Sequence, residues 1–313
     1  MDRNREEKYL LKQMDERQKS RKKRGDWMKQ RSILGRVAVP LLIYYGISLV
    51  ITMFASAIVA GLKMPQYLNG QVEYAQMVTE MTNEILKYTT IITGVTALVA
   101  IPIFWWMFHK DNRIRRQMGM AEPAKASPVK YVWIVILGVA ACVALNNILT
   151  LSNLAMISSY EETGANFYKV NIVAQIICLG ILTPIAEELA FRGLIFKRLR
   201  EVMNMKRAIL ISALIFGIYH GNLVQAVYGG VLGALLSYAY EKYGSIKAPI
   251  LAHMVLNLTS VILSEIGGFS WMFEQPMRMG IATVACAAIS ATMYVMIQRI
   301  GQGEADQTSS EQQ

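Results

Sequence analysis

The feature that most limits what this chain can become is a series of long apolar blocks. They cover residues 33–62, 85–108, 129–151, 170–194, 208–220, 223–240, 246–266 and 277–297. Most approach or exceed the roughly 20 residues that a helix needs to cross a bilayer. A soluble chain of this length would show amphipathic stripes, with buried and exposed faces alternating. Here the apolar residues come in unbroken runs, and the whole chain is 54% hydrophobic and only 17% charged, with a mean hydropathy of +0.32. The expectation is an all-α, polytopic membrane helix bundle of about eight transmembrane helices.

The blocks divide the chain into five parts. Residues 1–32 form a basic arm that includes Arg21, Lys22, Lys23 and Arg24. A secretory signal would reach its apolar region sooner, so none is expected. Residues 33–169 hold the first three spans, 170–266 a core of four more, and 267–300 the last. The polar tail, 301–313, reads as disordered, and the stretches 65–81 and 158–162 read as polar connections. Cys142, Cys178 and Cys286 are dispersed within apolar blocks, which argues against a disulfide framework or a zinc ribbon and fits small buried hydrophobes.

Charge orients the bundle. Lys110, Arg113, Arg115, Arg116, Lys125 and Lys130 separate the second and third blocks, and Lys197, Arg198, Arg200, Lys206 and Arg207 separate the fourth and fifth. Connections on the alternate side carry few cations. The positive-inside rule then places both termini in the cytoplasm, in a membrane that reads as bacterial plasma membrane. Trp105, Trp106, Tyr131 and Trp133 fit an aromatic belt at the inner interface. The net charge of +10 lies mostly in ends and loops, so it predicts attraction to a membrane surface, including anionic lipid at the basic arm, rather than nucleic-acid binding.

Within this frame one segment stands out: Thr183-Pro184-Ile185-Ala186-Glu187-Glu188-Leu189-Ala190-Phe191-Arg192. Ionisable groups among lipid-length apolar runs are costly and usually face the bundle interior or water. Glu188 and Arg192, four residues apart, can pair along one helix face. Glu187 is rotated from Glu188 by about 100° and points elsewhere. Pro184 cannot donate to the helix ladder and is expected to kink the helix just before the pair. A buried ion pair holding two helices together accounts for Glu188 and Arg192 but leaves Glu187 unexplained.

The remaining polar groups add to it. His109 borders a basic loop and needs no function. His220 ends the run Phe216-Gly217-Ile218-Tyr219-His220, and His253 shares a helix face with Asn257. A membrane histidine is often an interhelical hydrogen-bond partner and nothing more. Two histidines, an asparagine and a carboxylate on separate helices form a fuller set: a base, two acid/base or donor groups, and an amide suited to an oxyanion. Gly217/Gly221 and Gly229/Gly233 are two GxxxG pairs that allow the fifth and sixth spans to pack closely. Gly244-Ser245 reads as a turn and helix cap, with Pro249 in the next helix's first turn.

Taken together, Glu187-Glu188-x-x-x-Arg192, Phe216-x-x-x-His220 and His253-x-x-x-Asn257 resemble the CPBP family of type II CAAX prenyl proteases and Abi-like intramembrane proteases. The resemblance covers about residues 170–258. It implies an intramembrane endopeptidase acting on a membrane-embedded or prenylated peptide through a glutamate-activated water. By motif position Glu187 is the general base, His220 orients the water or moves protons, and His253 and Asn257 stabilise the tetrahedral oxyanion. Glu188, Arg192 and Phe216 support the site. Tyr243 stands before Gly244-Ser245 where relatives often have threonine.

Alternatives from other classes are a non-catalytic bacteriocin-immunity membrane protein and an ion-coupled carrier, the latter disfavoured by the lack of internal repeats. A zinc version of the protease would use His220, His253 and Glu188 as ligands. The helical HExxH pattern is absent and Arg192 would oppose the ion, so no metal is favoured. Counted by helical rise from the expected inner ends, Glu187 lies about 13 Å deep, His253 about 10 Å and His220 about 20 Å. That spread is too wide for one site.

Overall fold

The structure, a computed structural model, describes residues 8–9, 14–15, 32–69, 73–120, 123–152 and 168–301. Most of the basic arm, the 158–162 stretch and the tail beyond 301 lie outside the described residues. The described residues form ten helices and no strands. These are α1 Ile33–Leu68, α2 Tyr74–Lys87, α3 Thr89–Gln117 and α4 Tyr131–Leu151. After them come α5 Ile172–Arg200, α6 Met205–Tyr219, α7 Leu223–Tyr243, α8 Lys247–Glu265, α9 Gly268–Phe273 and α10 Pro276–Gln298.

Seven of these, α1, α3, α4, α5, α7, α8 and α10, are long and apolar enough to cross a membrane. Their outer sides carry large exposed hydrophobics such as Leu42, Phe54, Trp106, Met277 and Val284, which a soluble protein would bury. The chain is an integral, multi-pass membrane protein. The expected eighth crossing is α6, which at 15 residues reaches only about 22 Å, short of the roughly 30 Å core. Asn204 caps its start by accepting from the Arg207 N–H at 3.0 Å, and its end is fixed by the turn at Gly221.

The polar stretch 65–81 also differs from its reading as a connection. α1 continues through Pro65 to Leu68, and α2 follows as a helix without a buried residue. Its strongly one-sided apolar pattern, diluted by Glu80, Glu84 and Lys87, looks polar in a window average but is helical in period.

One end of the bundle is pinned by charge. Glu201, after α5, accepts from Arg36 of α1 at 2.6 Å and from Arg115 of α3 at 2.8 Å. Arg198 donates to Asp111 at 2.7 Å, Arg200 to Glu241 of α7 at 2.7 Å, and Lys242 to the Gln298 carbonyl of α10 at 2.7 Å. The start of α1 and the end of α10 therefore lie at the same end. These partners also carry α5 on to Arg200, past the expected limit near residue 194.

The α5 helix sits between two buried clusters. One joins α1, α3 and α5 through Tyr44, Phe104, Phe108, Phe191 and Phe196. The other joins α4, α7, α8 and α10 through Leu137, Leu236, Leu256 and Ile297. α6 and α7 pack antiparallel, backbone against backbone: a side chain at Gly217 would run into the Ala226 carbonyl. That close approach uses Gly217 alone of the first GxxxG pair, since Gly221 lies past the helix end at φ +78° with open space around it. Cys142 and Cys178 are buried and Cys286 half-buried, all three as free thiols.

Candidate active site

The residues singled out in the sequence converge on the middle of α5. Two stretches of α5 are wound as π-helix, Ile176–Leu182 and Leu189–Phe196, on either side of Thr183–Glu188. Where Pro184 predicts a kink, the chain instead widens: the Thr183 N–H bonds to the Cys178 carbonyl, five residues back. Such π segments recur at functional sites because they rotate the side chains that follow.

The two carboxylates part company there. Glu188 is fully buried and accepts from Arg192 Nη1 at 2.7 Å. The same Oε1 accepts from His253 Nδ1 of α8 at 2.8 Å. Arg192, also fully buried, donates through Nη2 to the Gly233 carbonyl of α7 at 3.1 Å, and its guanidinium lies 4.3 Å from the centre of the Phe216 ring. Three helices are thus tied to α5 behind the site: α8 through His253, α7 through Gly233 and α6 through Phe216. Glu188 Oε2 and Arg192 Nε are buried without a hydrogen-bond partner among the described residues.

Glu187 faces the other way, into a cavity of about 250 Å³ that it shares with Phe216, His220, His253 and Asn257. Its Oε2 lies 3.8 Å from His253 Nε2. His220 Nδ1 donates to the Phe216 carbonyl at 2.7 Å. Since carboxylate and carbonyl oxygens only accept, each histidine carries its proton on Nδ1 in these bonds, and each Nε2 remains for the cavity. Phe216 separates the rings, 4.8 Å from His220 and 6.0 Å from His253, edge-on to both. Gly229 makes room for His220: a methyl there would sit 3.2 Å from the imidazole Nδ1. Asn257 Nδ2 donates to the Leu179 carbonyl at 2.9 Å.

The observed helix ends remove the depth difference between Glu187 and His220, while His253 still lies only about 9 Å along α8 from Lys247. From Arg200, Glu187 is about 20 Å along α5, and from Met205, His220 is about 22 Å along α6. His109 stays apart on α3, its Nδ1 bonded to the Trp105 carbonyl at 2.8 Å. Tyr243 lies away from the cavity, donating to the Lys130 carbonyl at 2.7 Å.

Other lining residues were not singled out in the sequence: Tyr168, Gln225, Tyr228 and Ser260. Gln225 had a readable signal, because Asn222-x-x-Gln225 has the spacing of a capping box, here with the two side chains bonded to each other. Asn222 Oδ1 accepts from the Gln225 N–H at 2.8 Å, and Asn222 Nδ2 donates to Gln225 Oε1 at 2.7 Å. Tyr168 and Ser260 share a 3.2 Å hydrogen bond across the mouth and had no local signal.

The zinc ligand set His220, His253 and Glu188 does not fit this geometry. Glu188 contacts the Nδ1 side of His253, away from the Nε2 that enters the cavity, and the same oxygen is held by Arg192. Among the described residues no three His, Cys, Asp or Glu side chains converge as metal ligands would.

Residues 169–259, which contain Glu187, Glu188, Arg192, Phe216, His220, His253 and Asn257, match the family described as type II CAAX prenyl endopeptidase Rce1-like. This segment resembles that family. The chain is similar to "Putative membrane peptidase YdiL" of Bacillus subtilis (strain 168), at 39% identity over 88 residues, 28% of this chain and 36% of the relative. It is also similar to "UPF0177 protein YxdF" of Lactococcus lactis subsp. lactis (strain IL1403), at 28% identity over 117 residues, 36% of this chain and 64% of the relative. The likeness thus spans less than two thirds of either relative's length. No solved structure matches the chain.

Proposed function

We propose that the protein is an intramembrane endopeptidase in which Glu187 activates a water for attack on a peptide carbonyl. The observation that carries this reading is the division of labour between adjacent carboxylates. Glu188 is locked by Arg192 and His253 Nδ1, while Glu187 faces the cavity opposite His253 Nε2 at 3.8 Å. A separation of that size leaves room for a water or a substrate oxygen to bridge the two groups.

In this mechanism Glu187 takes a proton from water as the hydroxide adds to the scissile carbonyl. His253, its Nδ1–H held by Glu188, stabilises the oxyanion through Nε2 when that nitrogen is protonated. Two carboxylates against one guanidinium leave a net negative charge at the site, which a protonated His253 would cancel. His220 Nε2 orients the water and relays protons, and Glu187 or His220 returns one to the leaving amine. The water-activation step runs through Glu187 and the histidines without a metal.

The substrate class that suits a buried cavity in a bundle is a membrane-embedded or prenylated peptide. The protein would lie in a bacterial plasma membrane with both termini cytoplasmic, its basic arm against anionic lipid, and would bind no nucleic acid. The decisive experiment is turnover of a membrane-presented peptide library by purified protein and by Glu187→Gln. Cleavage by the wild type and none by a folded Glu187→Gln supports the reading. Equal cleavage by both sinks it.

A further inference from the structure

The widened turn in α5 creates a hydrogen-bonding gap that its own sequence cannot fill. The Thr183 N–H and the Thr183 Oγ1–H both go to the Cys178 carbonyl. In that i to i−5 register the next donor, facing the Leu179 carbonyl, is the nitrogen of Pro184, which has no hydrogen. Asn257, on α8, fills the position: its Nδ2 donates to the Leu179 carbonyl at 2.9 Å. Proline is tolerated within membrane helices where a neighbouring side chain re-satisfies the freed carbonyl. The bond also fixes the amide's direction, because a carbonyl only accepts, so the NH₂ end must face Leu179.

We propose that Asn257 is a positioning residue whose amide replaces the N–H missing at Pro184, and that it thereby sets the wide turn that aims Glu187 into the cavity. This rests on Glu187 being the base, as read above, and differs from the oxyanion role that the resemblance gives to Asn257. Leu179, Thr183 and Glu187 all line the cavity with Asn257, so a shift of that turn moves the carboxylate relative to His253 Nε2. Because His253 and Asn257 share one face of α8, the same helix grips α5 at the carboxylate pair and about two turns before it, through Glu188 and through Leu179.

The test is a double-mutant cycle between Asn257→Ala and Pro184→Ala, on the full chain in detergent or nanodiscs, read by both Tm and turnover. Pro184→Ala supplies the N–H, so Asn257 should then be largely dispensable. In the wild-type background Asn257→Ala is expected to lower Tm by a few degrees and kcat about tenfold, with KM little changed. In the Pro184→Ala background both losses should shrink to less than half. A direct oxyanion donor would not care what stands at position 184. Equal kcat losses in both backgrounds therefore overturn the proposal, whatever Tm does. If Pro184→Ala does not fold, Pro184→Ser restores the same N–H and takes its place. If no variant cleaves any peptide, the protease reading fails, and the Tm cycle alone still decides the hydrogen-bond role: coupling supports it and additivity overturns it.

Discussion

The buried pair behind the cavity offers a stability test that separates it from the carboxylate in front. Arg192 and Glu188 are both fully enclosed, 2.7 Å apart. Arg192→Ala removes three things: the ion pair, the bond to the Gly233 carbonyl, and the stacking on Phe216. A hydrogen bond within a membrane bundle averages only about 0.6 kcal/mol. The Gly233 contact alone would therefore be hard to measure. Stranding the Glu188 charge with only His253 to answer it is the larger effect, on the order of 3–5 kcal/mol for a broken buried pair. Glu187→Gln keeps the shape of a cavity-lining side chain that has no ion pair with Arg192 and should cost well under about 1 kcal/mol. At roughly 2–3 °C per kcal/mol for a chain of this size, Arg192→Ala should lower Tm by about 6–15 °C and Glu187→Gln by no more than about 3 °C. Buried free thiols at Cys142 and Cys178 make a thiol-reactive fluorophore a suitable probe of unfolding. An Arg192→Ala protein that melts within about 2 °C of wild type, or below which Glu187→Gln falls, would refute this account of the two carboxylates.

Three further outcomes are expected. Gly229→Ala places a methyl 3.2 Å from His220 Nδ1, tighter than ordinary van der Waals contact, so the imidazole must shift and turnover should fall more than Tm. Gly217→Ala, directed at the Ala226 backbone, should do the reverse, as paired melting and activity curves will tell. Turnover should survive exhaustive chelation, with well under one zinc per chain by elemental analysis; loss to chelator and recovery with stoichiometric zinc would contradict it. Reporter fusions after residues 116, 158 and 200 should read inside, outside and inside, and an outside signal after residue 200 would invert the orientation.

What the sequence made legible follows from which interactions are local. The rotation between Glu187 and Glu188 and the pairing of Glu188 with Arg192 depend on helix geometry within one segment, and both can be read from spacing. The long apolar blocks likewise announce the bundle, because length and hydropathy alone decide what can span lipid. Less legible were the contacts made across helices. Asn257 looked like the natural partner of its helix-mate His253, yet His253 Nδ1 is held by Glu188 from α5 and the Asn257 amide serves Leu179. The π-helical segments were invisible for the same reason: a proline suggests a kink, but only a donor on another helix makes the widened turn affordable. The block 208–220 lies close to the observed Met205–Tyr219, but it does not count as a crossing, because about 22 Å of helix falls short of the roughly 30 Å core.

The turn at Gly221 and Asn222 has a consequence for the surrounding lipid. The tip of α6 lies about 22 Å along that helix and about 27 Å from Glu241 along α7, just inside the far side of a roughly 30 Å hydrocarbon layer. At this tip stand His220, Asn222 and Gln225, whose polar groups cannot rest in alkane without partners. Hydrophobic mismatch of this kind is relieved by thinning the bilayer locally. Headgroups and water would then dip toward the carboxylate on the side opposite the basic loops. A hydrolytic centre in a membrane must be resupplied with one of its two reactants, and a helix cut short is a means of letting that reactant in.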